Sequence, residues 1–420
     1  MKHYDIIVVG GGLSGVGASI AGARAGKRTL LIEKYGCLGG VSAFNLVMPF
    51  MPYYTHDPKT GARINLSCGI FSEIMEALKA HGGVSEEWEQ CFNEEALKYV
   101  LNKMTSESGV ELLFGSYVSD AVCENGTIKS ITVSSAGKSE QISADYFIDA
   151  TGDANLATLC GFESIVGRES DGKCQPLTLS FRLANVDMDA YERCKHEINA
   201  LYKKQRENGK ITNPRENVLI FKTPCKGLLH FNSTRVVGID PTNPWELSRA
   251  ELIAREQVFE LVDFLKESFD AFKDAYLISS GVQIGARESR KIVGEYTLTR
   301  DDIVSLKRFE DSIAVCNYDI DIHSPDGTGT SHYYFKSGDY YTIPYRCLIP
   351  RASVNLLVAG RCVSATHEAQ ASLRIMPTCV TLGQACGVAC AIAHNSHTGV
   401  REIDIRALQE ALVQNGAKIY

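Results

Sequence analysis

Three glycines near the N-terminus have the spacing of a phosphate-binding turn. Gly10, Gly12 and Gly15 form a G-x-G-x-x-G pattern directly after the apolar run of residues 4–9, and Glu33 follows 18 residues after Gly15. In such a pattern the first glycine allows a tight turn, the second lets the backbone approach a diphosphate, and the third lets a helix pack on a strand. A carboxylate at the position of Glu33 accepts hydrogen bonds from ribose hydroxyls. The pattern predicts a dinucleotide site, and Glu33 disfavours a 2′-phosphate.

Four side chains in the second half of the chain could bind an anion or move a proton. Arg287 and Arg290 are three positions apart, so on a helical turn they would share a face and could clamp a carboxylate. His367 is the best candidate acid or base, because histidine titrates near neutral pH. Arg374 lies shortly after it. Two alternatives stay open: the arginines could tie two domains together, and His367 could make a plain structural hydrogen bond.

Two further histidines flank a glycine-rich loop. His323 and His332 stand on either side of residues 324–330, and they could close over a substrate. Histidines in loops are also often merely exposed on the surface. Both interpretations remain open from the sequence.

The elements around the glycine turn predict a βαβ unit. Residues 4–9 are apolar and rich in β-branched side chains, which favours a buried parallel strand. The glycine pattern then opens a helix that runs to about residue 25, and residues 28–32 predict a second strand. Further strands are expected at 110–114, 118–123, 128–134 and 144–149, with a hairpin turn at 124–127.

A second group of motifs carries a family resemblance. The glycine pair Gly39-Gly40 could be an ordinary loop, but it resembles the second flavin-contacting loop of the glutathione-reductase-like FAD superfamily, which includes the fumarate reductase flavoproteins. The strand end Ala150-Thr151-Gly152, the pair Gly360-Arg361 and the segments 285–290, 343–348 and 367–379 extend the likeness. Together with the N-terminal unit they resemble the bacterial FAD-dependent oxidoreductase family within that superfamily.

The resemblance implies FAD as the cofactor and redox chemistry as the activity. It also implies that the helix opening at residues 374–380 directs its positive end at the flavin, which is negatively charged when reduced. The cofactor-binding residues expected from the motifs are Gly10, Gly12, Leu13, Ser14, Gly15, Glu33, Lys34, Gly39, Gly40, Val41, Ser42, Val118, Ala150, Thr151, Gly152, Gly360, Arg361, Met376, Pro377 and Thr378. No metal site is expected.

FAD-binding motifs at both ends of the chain predict a discontinuous domain. We expect an α/β fold in which residues 1–160 and 340–420 form a Rossmann-type FAD-binding domain with a β-hairpin insertion. Residues 161–339 would form an α+β cap or substrate domain, with a strand at 177–183 and helices at 189–207 and 245–272. No second G-x-G-x-x-G unit or CxxC pair follows, which argues against a disulfide reductase with an NAD(P)H site.

The composition and charge of the chain disfavour some classes of function. The formal net charge of -7, from 43 basic and 50 acidic residues, gives no basic excess for nucleic acid or anionic lipid. The 14 cysteines are spread through the chain and are interpreted as reduced, buried side chains. The absence of an apolar leader favours a cytoplasmic location.

The sequence therefore predicts an FAD-dependent oxidoreductase, a dehydrogenase or reductase. It would transfer hydride between flavin N5 and a small polar or anionic organic substrate, with His367, Arg374, Arg287 and Arg290 as catalytic candidates. The alternative is an FAD-carrying electron-transfer or scaffold subunit of a larger redox complex. An electron-transfer partner or a homo-oligomer is compatible with the oxidoreductase and with the alternative subunit. An RNA-modifying flavoenzyme is disfavoured by the acidic balance of the chain.

Overall fold

The computed structural model describes residues 1–85 and 87–420, which form an α/β fold. In this part of the chain the strands are β1 (Lys2–Val9), β2 (Thr29–Ile32), β3 (Tyr54–His56), β4 (Arg63–Asn65), β5 (Glu111–Leu113), β6 (Tyr117–Glu124), β7 (Thr127–Ser135), β8 (Lys138–Asp149), β9 (Ser164–Val166), β10 (Phe181–Ala184), β11 (Ile220–Lys222), β12 (Leu229–Phe231), β13 (Tyr276–Ser280), β14 (Arg290–Ile292), β15 (Ser312–Cys316), β16 (Ile320–His323), β17 (Thr330–Tyr333), β18 (Tyr341–Pro344) and β19 (Leu356–Val358). The α-helices are α1 (Leu13–Arg24), α2 (Ile70–Ala80), α3 (Glu94–Glu107), α4 (Asn155–Leu159), α5 (Met188–Glu207), α6 (Pro244–Ser268), α7 (Arg300–Val304), α8 (His367–Leu373), α9 (Met376–Ser396) and α10 (Ile405–Gln414). Single 3-10 turns span Gly40–Ser42, Asp270–Phe272 and Tyr345–Leu348.

Five parallel strands form the centre of the largest sheet. Their order is β5-β2-β1-β8-β19, and each neighbouring pair is parallel. The unit β1-α1-β2 has the register Ile6 to Thr29 through Val9 to Ile32. All of β2 and most of β1 are buried, as expected for parallel strands covered on both faces. The predicted βαβ unit and α/β fold class are confirmed.

Strand β8 joins this parallel centre to an antiparallel hairpin. Its last residues pair with β1, while its first residues pair with β7, which in turn pairs with β6. Asn125 and Gly126 form the turn between β6 and β7 with φ of 50° and 77°, the left-handed values that a tight hairpin requires. The predicted hairpin insertion is confirmed.

Helix α9 crosses the interior in close contact with α1. A Cβ atom added at Gly383 would lie 1.9 Å from the carbonyl oxygen of Ser14, so the two backbones meet where only glycine fits. Helix α9 therefore depends on glycine at this position for its close packing. It begins at Met376, and residues 367–373 form the separate short helix α8.

Helix α9 is also the one helix in the described ranges that is long and apolar enough to cross a membrane. Its most apolar 18-residue window is 94% buried inside the protein. A core helix of this kind passes the same length and hydropathy test. The cysteines Cys379, Cys386 and Cys390 lie in this buried helix, and burial raises the pKa of the Cys379 thiol to about 12.

A second hydrophobic core lies within residues 177–284. It is built by the antiparallel sheet β11-β12-β10-β13 together with α5 and α6. The helix expected at 245–272 ends at Ser268 and is followed by a 3-10 turn. Residues Leu298 to Tyr341 contribute side chains to the core that contains β1 and α9. The domain boundaries at 160 and 340 stay a prediction.

Candidate functional site

The turn between β1 and α1 has the geometry of a phosphate-binding loop. Gly10 has φ of 103°, which favours glycine. Gly12 is the N-cap of α1, and a Cβ there would have no atom within 4 Å, so the backbone is open on that side. A Cβ on Gly15 would lie 1.8 Å from the carbonyl oxygen of Gly10. Leu13 and Ser14 form the first turn of α1, whose N–H groups have no partner within the helix.

The carboxylate of Glu33 is fixed beside this turn. Its Oε2 accepts a hydrogen bond from the N–H of Gly11 at 2.6 Å, and its Oε1 accepts one from Tyr35 at 2.9 Å. The N–H of Ser116 donates to the Glu33 carbonyl oxygen at 3.1 Å, which brings the segment before Val118 alongside it. Glu33 therefore lies directly after β2, and its carboxylate is held beside the glycine turn.

The glycine pair folds back onto the first turn. The N–H of Gly39 donates to the carbonyl oxygen of Gly11 at 2.9 Å, and Gly12 and Gly39 form a parallel bridge. A Cβ on Gly40 would lie 2.8 Å from the Cα of Gly12. The two loops thus form one surface. The other residues expected in the second loop lie in the same segment: Lys34, Val41 and Ser42.

The loop after β8 is held by a network of charged side chains. Asp149 is buried and accepts hydrogen bonds from the N–H and hydroxyl of Thr151 at 3.0 and 2.7 Å. Arg361 donates to the carbonyl oxygen of Gly152 at 2.8 Å and to Asp153 at 2.5 Å. Burial alone would raise the pKa of Asp153, but the charge of Arg361 lowers it. The two remaining expected residues adjoin this network: Ala150 and Gly360.

The start of α9 faces the same region of the fold. Met376 begins the helix, and Pro377 stands in its first turn, where a missing N–H costs nothing. The hydroxyl of Thr378 is buried and has no hydrogen-bond partner in the described part of the chain. A helix N-terminus also carries a partial positive charge. These features suit a polar, partly anionic ligand.

His367 is held by a buried carboxylate and an ammonium group. Its Nδ1 lies 2.8 Å from Oε2 of Glu288, and Lys291 donates to Oε1 of the same carboxylate at 2.7 Å. Burial alone would raise the pKa of Glu288, but the hydrogen bond from His367 and the charge of Lys291 lower it, so the carboxylate only accepts. Nδ1 therefore carries the ring proton. Nε2 is buried without a partner among the described residues and can accept a proton.

Four arginines form a second charged group, here called the arginine cluster: Arg215, Arg235, Arg287 and Arg374. Burial and the positive charges of Arg215 and Arg374 lower the pKa of Arg287 well below its ordinary value. Arg374 lies 4.0 Å from a carboxylate oxygen of Asp321. Within the described ranges, Nη1 of Arg215 and Nε of Arg374 are buried and have no hydrogen-bond partner. The cluster combines strong positive charge with donors that are free to bind.

Asp321 in this cluster is held by two neutral neighbours. Tyr318 donates to its Oδ2 at 2.9 Å, and Nε2 of His323 lies 3.4 Å from the same oxygen. Burial and the charge of Arg287 lower the pKa of His323 to about 3, so its ring is neutral at physiological pH. Arg235 donates to Nδ1 of His323 at 3.0 Å, which leaves the ring proton on Nε2. His323 is thus buried in the cluster, whereas His332 is half-buried at its edge.

The expectation that Arg287 and Arg290 share one face of a helical turn is wrong. Residues 281–289 contain no helix, and Arg290 begins β14. Arg287 donates to the hydroxyl of Thr178 at 2.7 Å, whereas Arg290 donates to the carbonyl oxygen of Asp153 at 3.2 Å. In an extended segment, side chains three positions apart point to different faces. Their assignment as substrate ligands stays a prediction.

Several residues around His367 and in the arginine cluster could not be identified from the sequence. Arg215 and Arg235 lie in the stretch of the chain that carries no motif, and nothing in their spacing links them to Arg374. Glu288 stands between two arginines that were singled out, and its position beside His367 depends on long-range packing. The one available signal for Asp321 was the alternation of aspartate and isoleucine in the run Asp319-Ile320-Asp321-Ile322.

The geometry of the N-terminal loops fits FAD. The open side of Gly12, the free N–H groups of α1, the fixed carboxylate of Glu33 and the unpartnered hydroxyl of Thr378 provide groups for a diphosphate, a ribose and a polar ring. Residues 5–412 match the family described as FAD dependent oxidoreductase. No protein with curated annotation is significantly similar to the chain in sequence.

Solved structures with similar folds are distant in sequence. A geranylgeranyl bacteriochlorophyll reductase-like protein from Thermoplasma acidophilum is 15% identical, with a TM-score of 0.48, over 99% of this chain and 83% of that one. A flavoprotein/dehydrogenase from Cytophaga hutchinsonii is 13% identical, with a TM-score of 0.46, over 98% and 83%. The p-nitrophenol 4-monooxygenase PnpA from Pseudomonas putida DLL-E4 is 10% identical, with a TM-score of 0.46, over 98% and 84%. By its family match over nearly the whole sequence, the chain belongs to the FAD dependent oxidoreductase family and is an oxidoreductase with FAD as its cofactor.

Proposed function

We propose that this oxidoreductase acts on a small organic anion, as a dehydrogenase or a reductase that uses hydride transfer. The observation that carries the proposal is the arginine cluster, in which two of the four guanidinium groups have a carboxylate partner: Arg235 lies beside Glu216 and Arg374 beside Asp321. Bound FAD supplies the hydride donor or acceptor. The side chains of the protein must supply binding, orientation and proton transfer.

The excess positive charge of the cluster favours an anionic ligand. Burying charge without a partner is unfavourable. Arg287 donates to the neutral oxygens of Pro176 and Thr178, and burial lowers its pKa well below the ordinary value. A carboxylate would offset this charge and satisfy the free donors on Arg215 and Arg374. Guanidinium groups bind carboxylates in a fixed orientation, which positions the rest of a substrate.

Two hydrogen bonds to the segment before Arg290 support a location of the cluster near the expected flavin site. The side-chain amide of Gln370 on α8 donates to the carbonyl oxygen of Arg287 at 2.9 Å, and Arg374 immediately follows α8 and precedes α9. Asn45, which follows the second glycine loop, donates to the carbonyl oxygen of Ile284 at 2.8 Å. These contacts support a site that includes the segment after the second glycine loop, helix α8 and the arginine cluster.

A loop of the predicted cap covers the cluster. Arg235 donates to the carbonyl oxygens of Gly327 and Gly329 at 3.0 and 3.1 Å, which ties the loop between β16 and β17 to the cluster. Covering a charged site in this way limits water and strengthens the electrostatic interactions inside it.

His367 is proposed to move the proton that accompanies the hydride. Its Nε2 accepts a proton from a substrate being oxidised, or returns one to a substrate being reduced. Glu288 fixes the ring, and Lys291 keeps Glu288 ionised. Arg287 and Arg374 orient the anionic group in this scheme.

Titration of the FAD-loaded protein with small carboxylates tests the proposal. Each carboxylate is compared with its neutral amide, and flavin absorbance and melting temperature are recorded. At least one carboxylate should give a saturable spectral change that the amide does not give and that is lost in Arg287→Ala. The same response in Arg193→Ala, an exposed arginine on α5, provides the control. If no carboxylate perturbs a fully loaded protein, the proposal fails and the electron-transfer alternative gains support.

A further inference from the structure

One face of helix α6 exposes three large apolar side chains at regular intervals. Trp245, Leu252 and Phe259 are 84%, 69% and 58% exposed and are spaced seven residues apart. Seven residues are close to two helical turns, so the three side chains form one stripe, here called the α6 stripe. The opposite face of the helix is buried in the second core through Ala250, Ala254, Val258, Leu261 and Leu265.

The α6 stripe is larger than the scattered apolar residues of an ordinary surface. Two exposed aromatic side chains and a leucine present roughly 400–500 Å² of apolar area, the size of the largest apolar patch on a typical monomer, which is often functional. The stripe is also straight and spans about 21 Å along a single helix. Such a surface fits another helix laid against it.

We infer that the α6 stripe is the interface of a two-fold homodimer in which two α6 helices pack antiparallel. The stripe is symmetric about Leu252, with one aromatic residue seven positions on either side. A two-fold axis at Leu252 therefore places it against Leu252 of the second copy. The same axis places Trp245 against Phe259 of the second copy, and Phe259 against its Trp245. A self-complementary surface of this kind is what a closed dimer requires.

Charged residues along the stripe are complementary in the same arrangement. Arg249 and Glu256 are exposed, and neither forms an ion pair in residues 1–85 and 87–420. Arg249 lies three positions before Leu252, and Glu256 lies four positions after it. Antiparallel packing about Leu252 therefore brings Arg249 beside Glu256 of the second copy, and this contact occurs twice per dimer. The charges of α6 are therefore complementary in the antiparallel dimer.

The charge of α6 disfavours an anionic membrane as the occupant of the stripe. The helix carries six acidic and three basic side chains. Surface helices that bind anionic lipids carry an excess of lysine and arginine around the apolar face. A second copy of the chain supplies both the apolar stripe and the opposite charge.

The oligomeric state of the FAD-loaded protein tests this inference. Sedimentation velocity from about 1 to 200 μM should show a reversible dimer, with a dissociation constant in the micromolar range expected for a small interface. Leu252→Glu places two carboxylates at the axis and should weaken association at least 100-fold. FAD content and melting temperature should stay unchanged, because Leu252 lies outside the core.

Charge reversal identifies the contacts more sharply. Arg249→Glu and Glu256→Arg should each weaken self-association about 10-fold or more, because each brings like charges together. A mixture of the two single variants should form a heterodimer, since every contact is then between opposite charges. The double variant should dimerise like the natural protein.

Matched changes on α5 serve as the control. Arg193→Glu and Glu197→Arg reverse exposed charges four positions apart and should leave association unchanged. A protein that stays monomeric at 200 μM overturns the inference, as does a dimer that survives Leu252→Glu. If Arg249→Glu and Glu256→Arg do not associate when they are mixed, the antiparallel contact between Arg249 and Glu256 is wrong. Binding of the monomer to anionic vesicles through the stripe would also contradict it.

Discussion

Nδ1 of His367 lies 2.8 Å from a carboxylate oxygen of Glu288, although the two residues are 79 positions apart in the chain. The contact joins the first residue of α8 to the segment before β14. Because Glu288 is ionised and only accepts, it fixes both the orientation and the proton position of the ring. The free Nε2 of a histidine held in this way is suited to proton transfer.

Replacing His367 should slow the chemistry without removing FAD. His367→Ala is expected to lower the rate of flavin reduction by substrate roughly 10²–10⁴-fold and to flatten its pH dependence, because a proton acceptor is lost. His332→Ala, at the edge of the arginine cluster, is the control and should change the rate little. Stopped-flow absorbance under anaerobic conditions measures both. An unchanged rate in His367→Ala would place proton transfer on another group.

The two arginines singled out by the sequence should behave differently. Arg287→Ala is expected to lower kcat/KM on the order of 10²-fold while FAD stays bound, since a hydrogen bond to a charged group contributes about 1.5–3 kcal/mol. Arg290→Ala removes bonds to Asp153, Asn155 and Thr158, so it should lower the melting temperature and loosen FAD. Steady-state kinetics with FAD occupancy separates the two effects. Equal kinetic losses in both variants would contradict this division.

Glu33 should determine the affinity for FAD. Glu33→Ala removes the ribose contacts, which should weaken FAD binding by about 1.5–3 kcal/mol, or roughly 10–150-fold. It also leaves the N–H groups of Gly11 and Tyr35 without their acceptor. Fluorescence titration of the apoprotein measures the dissociation constant. Glu33→Gln keeps an acceptor and should lose less, and an unchanged affinity in Glu33→Ala would exclude the assigned role.

The contact between α1 and α9 should be intolerant of one added methyl group. Gly383→Ala would bring a Cβ within 1.9 Å of the Ser14 carbonyl oxygen, so the helices must separate at a cost of about 1–3 kcal/mol or more. Gly36→Ala adds the same group where no atom lies within 4 Å and should be nearly neutral. Denaturant unfolding of both variants measures the difference. Equal stability would show that the helices have room to adjust.

Acid should destabilise the protein through its buried carboxylates. The pKa values of Glu288 and Asp153 are lower in the folded protein than in the unfolded chain, so between the two values the unfolded chain binds more protons. Their stabilisation is therefore complete above about pH 4–5, the ordinary range of these groups, and is lost as the pH falls. Melting temperatures from pH 7 to pH 3 measure this loss. Glu288→Gln should show a shallower decline, and an equal decline would assign the acid sensitivity elsewhere.

Elements that are determined by short segments could be predicted from the sequence. The turn at Gly10, Gly12 and Gly15 depends on backbone freedom and local spacing, so the βαβ unit could be recognised directly. The hairpin at Asn125 and Gly126 is equally local. Both could be predicted because neither requires knowledge of distant residues.

The charged groups could not be predicted in the same way. Arg374 lies far from Arg215 and Arg235 in the chain, and the tertiary packing that brings the three together leaves no periodic trace in the sequence. The expectation that Arg287 and Arg290 share one face was wrong because a three-residue spacing indicates a shared face only when the segment is helical. Contacts that depend on tertiary packing were therefore missed or misassigned.

Anaerobic reduction of the bound FAD by a panel of small organic anions tests the central proposal most directly. Each anion is paired with a neutral analogue, and flavin absorbance is followed in the natural protein, in Arg287→Ala and in Arg193→Ala. At least one anion should reduce the flavin, or reoxidise it after chemical reduction, and its neutral analogue should not. Arg193→Ala should react like the natural protein, whereas Arg287→Ala should react on the order of 10²-fold more slowly. Equal reactivity of Arg287→Ala and the natural protein, or reaction with neutral compounds alone, would contradict it.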